Sequence, residues 1–197
     1  LIVALGDCGF REGGRPLAER RHTVGGRCSL SVNVSPRQLH ASEQHVQDWL
    51  DWLRQLSLPT GNLTMEITEG VLLDADKATS AKMMQLQASG LKVALDDFGT
   101  GYSSLSYLKR FTIDFLKIDR SFVSKLPDSG EDRVLCNAII AMAHQLGIRV
   151  IAEGVQTREQ HEFLRAQGCD LGQGYWYGRP MSADALRERL AHEHPAP

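Results

Sequence analysis

The sequence predicts an α/β fold with a parallel sheet, either doubly wound or closed as a (β/α) barrel. Short apolar, β-branched runs alternate with amphipathic helical stretches from Cys28 onward. Three helical stretches end in a glycine, at Gly90, Gly147 and Gly168, and a predicted strand follows each one directly. A glycine in that place closes a helix in the left-handed conformation. Repeated strand–helix units of this length indicate parallel strands.

The first half of the chain supplies three predicted strands, which are Ser29–Val34, Leu63–Ile67 and Leu91–Leu95. A helix is predicted over Glu43–Leu56, because its apolar residues recur at helical spacing. Ser42 precedes this helix as an N-cap, and Pro59 follows its end. A second helix is predicted over Asp76–Ser89.

The second half of the chain continues the alternation. Its predicted strands are Ile113–Ile118, Ile148–Ala152 and a short one near Cys169–Leu171. Its predicted helices are Glu131–Leu146, Thr157–Gln167 and Ser182–His192. We expect the last residues, 193–197, to be frayed.

Composition favours one cytoplasmic globular domain. The 197 residues carry a formal net charge of −2, so a sequence-independent grip on DNA is not expected. No apolar run is long enough to span a bilayer, and nothing at the start is typical of a signal peptide. The cysteines are widely spaced without a C-x-x-C pair, which favours free thiols in a reducing compartment.

Polar residues fall at the C-terminal ends of the predicted strands. They are Asn33, Glu66, Asp96 with Asp97, Lys117 with Asp119, Glu153, and Gln173 just past the last strand. In a (β/α) barrel, residues from several strand ends build the active site at that face. A single Asp or Asn there could simply be the N-cap of the next helix, but the whole set indicates an active site.

The types of these residues indicate a chemistry. Carboxylate and amide oxygens are hard donors suited to Mg²⁺, Mn²⁺ or Ca²⁺. None of the seven histidines falls at a strand end, which argues against an imidazole-bound zinc or iron centre. Adjacent Asp96 and Asp97 suit a pair of ions that activates water for attack on phosphorus. Lys117 could orient that water or neutralise a phosphoryl oxygen; the alternative is a salt bridge to Asp119 or Asp97.

Six segments, in order along the chain, resemble signatures of EAL domains, which are bacterial phosphodiesterases that open cyclic-di-GMP to linear pGpG. The segments are Ser31–Ser35 (SVNVS), Met65–Glu69 (MEITE), Asp96–Leu105 (DDFGTGYSSL), Leu116–Phe122 (LKIDRSF), Ala152–Thr157 (AEGVQT) and Gln173–Pro180 (QGYWYGRP). The DDFGTGYSSL and AEGV segments are highly specific. The resemblance implies a (β/α)8 TIM-type barrel.

The resemblance also implies roles for the matched residues. Metal ligands are implied at Asn33, Glu66, Asp96, Asp97 and Glu153. Lys117 matches the residue that holds or deprotonates the attacking water. Glu153 and Gln173 are implied as further catalytic residues. Contacts to guanine or phosphate are implied at Asp119, Gln156 and Tyr175. Glu69 matches a glutamate that steadies the loop containing Phe98, Gly99, Thr100 and Gly101, which couples the metal site to a dimer interface.

The same resemblance implies cofactors and partners. We expect a two-ion site for Mg²⁺ or Mn²⁺, with Ca²⁺ inhibitory. We expect cyclic-di-GMP as substrate, a homodimer, and sensory or GGDEF-type domains upstream in the parent protein. No membrane segment is expected in this chain.

Two departures from the family pattern affect these expectations. The family's first strand ends in Glu-Ala-Leu and supplies a metal ligand, and no such segment occurs here. The barrel is therefore predicted to be incomplete at the N-terminus, and activity of this chain to be weak. Residues 7–21 contain Gly9, Gly13, Gly14 and Pro16 where the family has a helix. We therefore assign a degenerate remnant to residues 1–28 and the barrel body to residues 29–192.

Three function classes remain distinct. The first is a catalytic phosphodiesterase, favoured because every other metal and catalytic position is filled. The second is a catalytically impaired module that binds cyclic-di-GMP, which would show substitutions at the metal positions. The third, an enolase-like lyase, needs a different set of carboxylates and is disfavoured by the AEGV and QGY segments. Gln156 stands where the family more often has Glu, and it retains a hydrogen-bond acceptor.

Overall fold

The computed structural model describes residues 29–40, 43–57, 60–73, 75–100, 107–182, 184–186, 188 and 189, together with Cys8 and Arg11. The strands are β1 (Leu30–Asn33), β2 (Leu63–Thr68), β3 (Lys92–Phe98), β4 (Phe115–Ile118), β5 (Arg149–Ala152) and β6 (Leu171–Gly172). The helices are α1 (Pro36–Leu39), α2 (Glu43–Gln55), α3 (Glu69–Leu73), α4 (Lys77–Ala88), α5 (Tyr107–Arg110), α6 (Arg120–Val123), α7 (Gly130–Gln145) and α8 (Arg158–Ala166).

The chain divides into two compact units. The first consists of Leu1–Glu66, Ala75–Lys92 and Pro180–Pro197, and the second of Ile67–Asp74 and Val93–Arg179.

In the first unit, β1 pairs in parallel with β2, from Leu30 opposite Leu63 to Asn33 opposite Glu66. The helices α1 and α2 both contact α4. Its core is apolar and almost fully buried, with Leu39, Trp49, Leu53, Leu63, Met65, Met83 and Leu86. Lys82 is also buried, and its ammonium donates to the carbonyl oxygen of Leu39 at 3.1 Å, an acceptor at the end of α1.

In the second unit, the end of β2 and strands β3 to β6 follow one another in chain order. The pairs β3–β4, β4–β5 and β5–β6 are all parallel. Residues of these strands are completely buried at Val93, Leu95, Leu116, Ile118, Val150 and Ala152. Strands this apolar are typical of a parallel sheet that helices cover.

Local capping explains where the long helices begin and end. Asp76 caps α4 by accepting a hydrogen bond from the Thr79 N–H at 2.7 Å, and Ser129 caps α7 through the Asp132 N–H at 3.2 Å. The three glycines predicted to close helices have left-handed backbones, with φ of 96° at Gly90, 74° at Gly147 and 84° at Gly168. This part of the prediction is confirmed.

Two aspartates make the same contact at the starts of strands. Asp114, just before β4, accepts a hydrogen bond from the Val93 N–H at 2.8 Å. Asp170, just before β6, accepts one from the Val150 N–H at 2.8 Å and also lies 2.9 Å from Nε2 of His144. Each carboxylate therefore ties the entry of one strand to its neighbour.

The predicted strands and long helices are confirmed to within a few residues, with one informative difference. The strand predicted to stop at Leu95 continues through Asp96 and Asp97 to Phe98. The short helices α1, α3, α5 and α6 were not predicted. Residues 184–186, 188 and 189 are helical, as expected for Ser182–His192.

Several expectations lie outside the described residues: the capping residue Ser42, Pro59, residues 101–106 and the tail at 193–197, and all of residues 1–28 except Cys8 and Arg11. Within the described part, no helix has the length and apolar character that a bilayer crossing needs.

Candidate metal and active site

Strand β3 carries two adjacent carboxylates at an irregularity. Its register with β4 shifts between Leu95 and Phe98, and Asp97 has a positive φ of 54°. In a regular strand, neighbouring side chains point to opposite faces. The shift and the left-handed residue break that alternation, so Asp96 and Asp97 can both contribute to one cluster.

The cluster is completed by Glu153, at the end of β5. Single carboxylate oxygens of Asp96, Asp97 and Glu153 all lie within 4.8 Å of one another. Glu153 is fixed by its backbone, whose N–H donates to the carbonyl of Ile118 at 3.1 Å. Three carboxylate oxygens at this spacing fit the hard-donor preference of Mg²⁺ or Mn²⁺.

Lys117 reaches the same cluster from β4. Its side chain is only 2% exposed, and its ammonium lies 2.9 Å from Asp96 Oδ1 and 2.7 Å from Glu153 Oε1. From the sequence, the alternative to a catalytic role for Lys117 was a salt bridge to Asp119 or Asp97. In the structure, Lys117 pairs with Asp96 and Glu153 instead. Lys117 therefore stands between two of the three carboxylates.

The electrostatics of the cluster favour an added cation. Partial burial raises the pKa of the Asp97 carboxyl, the charges of Asp96 and Asp119 raise it further, and Lys117 opposes this. The raised pKa means that the ionised Asp97 is disfavoured first by its partial removal from water and then by the neighbouring negative charges. A divalent cation bound there would stabilise the ionised form.

A cavity of about 200 Å³ opens beside Glu153. It is lined by Arg120, Glu153, Gly154, Gln156, Gln173, Gly174 and Tyr175. Four of the residues predicted for catalysis or substrate binding, Glu153, Gln156, Gln173 and Tyr175, thus share one cavity. Tyr175 is 51% exposed, and the guanidinium of Arg179 lies 4.7 Å from its ring centroid.

Two glycines allow the cavity walls to approach closely. Gly154 has a φ of 68°, and a Cβ there would collide with the side chain of Arg120. A Cβ on Gly174 would collide with the backbone of Val155. The cavity therefore depends on the absence of side chains at these positions.

Asp119, for which a contact to guanine or phosphate was implied, makes a helix-capping hydrogen bond in the structure. It is the N-cap of α6, with Oδ1 accepting the Ser121 N–H at 2.9 Å. Partial burial raises the pKa of its carboxyl, but hydrogen bonds from Ser121 and the charge of Arg120 outweigh this and leave the pKa below its usual value. The N-cap interpretation, left open from the sequence, thus applies to Asp119.

Asn33 and Glu66 face each other across β1 and β2 within the first unit. The carbonyl of Glu66 accepts the Val34 N–H at 2.9 Å, and the Glu66 side chain is buried. Asn33 is the last residue of β1, as predicted, whereas Glu66 lies inside β2, which continues for two more residues to Thr68.

Glu69 contacts the loop that follows β3. Its Oε1 accepts the Gly99 N–H at 3.0 Å, and Glu69 is only 8% exposed. Phe98 is buried, and Thr100 Oγ1 donates to the Asp97 carbonyl at 2.9 Å. Gly101, also predicted for this loop, lies outside the described residues.

Sequence reasoning missed three contributors to this site. Arg120 lines the cavity, and Gly154 leaves room for the Arg120 side chain. Gln160 accepts a hydrogen bond from the N–H of Gln156, which also lines the cavity. Gln160 carried a readable signal, because Thr157 and Gln160 have the spacing of a capping box. Arg120 directly follows Asp119 after a strand end, but an arginine at that place in the sequence could equally be an ordinary surface residue.

The fold and the site define an α/β domain whose carboxylates cluster at strand ends around a buried lysine, a class of site suited to divalent cations. The chain belongs to the EAL domain family, which matches residues 1–180. The predicted family is thereby confirmed.

Known proteins agree with this assignment. The chain is 45% identical over 138 residues to the cyclic di-GMP phosphodiesterase NbdA of Pseudomonas aeruginosa, a match that covers 70% of this chain and 18% of NbdA. A complex of the PaMucR phosphodiesterase with c-di-GMP is similar, with a TM-score of 0.87 and 37% identity, over 94% of this chain and 75% of that chain.

A third relative is BlrP1 of Klebsiella pneumoniae, solved as a manganese and cyclic-di-GMP complex. Its TM-score is 0.76 at 31% identity, over 87% of this chain and 42% of that chain. The chain spans between 18% and 28% of the length of four curated relatives that it matches. The structural likeness confirms the predicted α/β fold of incomplete (β/α)-barrel type.

Proposed function

We propose that this domain is a phosphodiesterase that hydrolyses cyclic-di-GMP to linear pGpG with the help of divalent cations. The observation that carries the proposal is the cluster of Asp96, Asp97 and Glu153 around the ammonium of Lys117. The cavity beside this cluster supplies space and polar groups for a nucleotide. The names of NbdA and PaMucR support the same substrate.

Asp96, Asp97 and Glu153 would hold the cations, and Asn33 and Glu66 are proposed as further ligands. Mg²⁺ or Mn²⁺ bound there supplies a Lewis acid for water and for the phosphoryl oxygens. The manganese complex of BlrP1 supports this choice. Ca²⁺ is proposed to inhibit, because it tolerates higher and less regular coordination.

Lys117 is proposed to position the attacking water. Its ammonium already contacts Asp96 and Glu153, so it is held at a fixed place beside the cluster. From there it can orient a water molecule for attack on a phosphate or neutralise charge on a phosphoryl oxygen. Gln173, on the cavity wall next to Glu153, is proposed to hold the water or a phosphate oxygen.

The cavity is proposed to take one nucleotide of the substrate. Tyr175 offers an exposed ring for base stacking, and Gln156 offers an amide for a base edge. Asp119 borders the same region at the start of α6, and it can accept a hydrogen bond from a guanine amino group while it caps the helix.

Signalling and assembly are part of the same proposal. The hydrogen bond from Gly99 to Glu69 supports a role for that loop in coupling the metal site to a homodimer interface. We propose a cytoplasmic bacterial protein with upstream sensory or GGDEF-type domains. MucR, a relative named as a bifunctional diguanylate cyclase and phosphodiesterase, supports this organisation. DNA and membrane lipid are not proposed as partners.

The proposal is tested by following pGpG formation with Mg²⁺, Mn²⁺, Ca²⁺ or a chelator. We expect turnover with the first two ions, and strong suppression with Ca²⁺ or the chelator. Full turnover in the chelator would contradict the metal-dependent reaction. Tight binding of cyclic-di-GMP without any pGpG in Mg²⁺ or Mn²⁺ would favour a receptor module instead.

A further inference from the structure

Gln160 lies in the first turn of α8 and is almost completely buried, with 4% of the residue exposed. Its side-chain oxygen accepts two backbone hydrogen bonds, from the Gln156 N–H at 2.7 Å and from the Thr157 N–H at 3.1 Å. The N–H of the N-cap Thr157 has no helical partner, and this oxygen serves it together with the N–H of Gln156, the residue before the cap. Taken alone, the contact is a helix cap.

The other end of the same amide reaches a second loop. The Nε2 group of Gln160 donates to the carbonyl oxygen of Ser124 at 3.3 Å. Ser124 is the C-cap of α6, where carbonyl groups also lack helical partners. One buried side chain therefore serves the start of α8 and the end of α6.

The two segments joined in this way carry residues of the candidate site. The segment before α8 contains Glu153, Gly154 and Gln156, and α6 begins with Arg120 after its cap Asp119. Arg120 and the segment before α8 also touch directly, because the Arg120 side chain lies against Gly154. Both segments form walls of the cavity beside Glu153.

We propose that Gln160 is a positioning residue that fixes the spacing of these two cavity walls and thereby the affinity for the nucleotide. The identity of that nucleotide rests on the proposed function. Gln160 itself does not line the cavity. It acts through Gln156 on one side and through the helix that Asp119 and Arg120 begin on the other.

Gln160→Glu separates positioning from capping. A glutamate keeps an acceptor oxygen for the two N–H groups, and a capping box accommodates Glu as well as Gln. A negative charge at a helix N-terminus is also favourable. An ionised carboxylate has no proton to donate, however, so the link to the Ser124 carbonyl is lost. Gln160→Met removes both functions without adding charge.

The variants are compared by amide hydrogen exchange and by kinetics on cyclic-di-GMP. In Gln160→Glu we expect faster exchange over residues 120–124, unchanged exchange over α8, and a lower melting temperature, because the carboxylate is buried. In both variants we expect KM to rise about tenfold, the scale of one lost hydrogen bond. Mn²⁺ affinity measured without nucleotide should stay unchanged. Gln85→Glu, on the exposed face of α4, is the matched charge control.

Two results would overturn the proposal. If Gln160→Glu matches the original chain in exchange and KM, Gln160 is only a cap. If KM rises in Gln160→Glu but not in Gln160→Met, and exchange over residues 120–124 is unchanged, the effect is one of charge. If the original chain neither binds nor cleaves cyclic-di-GMP, the proposed function fails, and hydrogen exchange alone still decides whether Gln160 couples the two walls.

Discussion

Lys117 carries its charge where 2% of the side chain is exposed, in contact with Asp96 and Glu153. Removing an ammonium from water costs several kcal/mol, and two nearby carboxylates offset that cost without adding much net stability. Replacing the whole set of Lys117, Asp96 and Glu153 by well-packed hydrophobic residues would often be neutral or stabilising. The presence of a lysine is therefore better explained by chemistry at the cluster than by folding.

Lys117→Ala tests this interpretation. We expect turnover of cyclic-di-GMP to fall at least about 100-fold, because a group that positions or protonates in the transition state contributes on that scale. Dinucleotide affinity, measured by calorimetry in Ca²⁺, should change little, since the proposed task lies in the transition state.

Lys77→Ala is the matched control, because Lys77 is an exposed lysine in the first turn of α4. It should leave turnover and affinity unaltered. Lost affinity together with normal turnover of bound substrate in Lys117→Ala would show that the lysine binds the nucleotide instead.

At the level of secondary structure elements, the segments that follow β4 and β5 lie in close contact, because the side chain of Arg120 packs against Gly154. Gly154 combines a left-handed φ of 68° with contact to Arg120. Gly147 has a similar φ of 74°, but a Cβ added there would have no atom within 4 Å among the described residues. The two glycines thus share the backbone requirement and differ in surroundings. Replacing each in turn separates backbone strain from collision.

Gly147→Ala should lose about 1–2 kcal/mol of stability from the left-handed conformation alone, with unchanged KM. Gly154→Ala should lose more, because Arg120 must also move, and its KM for cyclic-di-GMP should rise. Thermal melts and initial-rate kinetics on both variants provide the comparison. Equal effects on stability and KM would mean that the Arg120 contact has no importance for the cavity.

The elements predicted correctly are those whose signals are local. Helix spacing and the glycines at 90, 147 and 168 indicated the order of strands and helices, because capping depends on a few neighbouring residues. The extension of β3 through Asp97 was missed, since the register shift depends on pairing with β4. The partners of Lys117 were also missed, because they depend on how β3, β4 and β5 align in space.

The candidate site shows the same division between local and spatial information. The position of carboxylates at strand ends was readable, and the structure brings Asp96, Asp97 and Glu153 together. The bridge from Gln160 to Ser124 spans 36 residues and has no local signal beyond the capping box. Sequence periodicity cannot report such a contact.

At the scale of the whole molecule, the described site residues fall mainly in one compact unit. Lys117, the three clustered carboxylates and the cavity belong to the second unit, and Asn33 and Glu66 belong to the first. The stability of the second unit therefore bears directly on the cluster. Asp170, which ties β5 to the entry of β6, offers a way to change that stability away from the cavity.

The pH dependence of folding should include a contribution from Asp170. Partial burial raises the pKa of its carboxyl, but hydrogen bonds from His144 and the Val150 N–H outweigh this and lower the pKa below its usual value. A carboxyl with a lowered folded pKa stabilises the protein above its unfolded pKa of about 3.9, and that stability is lost as pH falls through the folded value.

Asp170→Asn should therefore lower the melting temperature at neutral pH, and the difference from the original chain should shrink below about pH 4. Asp128→Asn, at an exposed position, is the control and should show no such pH-dependent difference. A melting-temperature gap for Asp170→Asn that stays constant from pH 7 to strongly acidic solution would assign the effect to packing alone.

The irregularity in β3 has a consequence for how this domain can change over evolution. A regular strand with an ordinary residue in place of left-handed Asp97 would pair better with β4, so selection for stability alone would remove the shift between Leu95 and Phe98. It would also return the two carboxylates to opposite faces. Substitutions that stabilise this strand are therefore expected to trade activity for robustness, and a search for thermostable variants should leave residues 95–98 untouched.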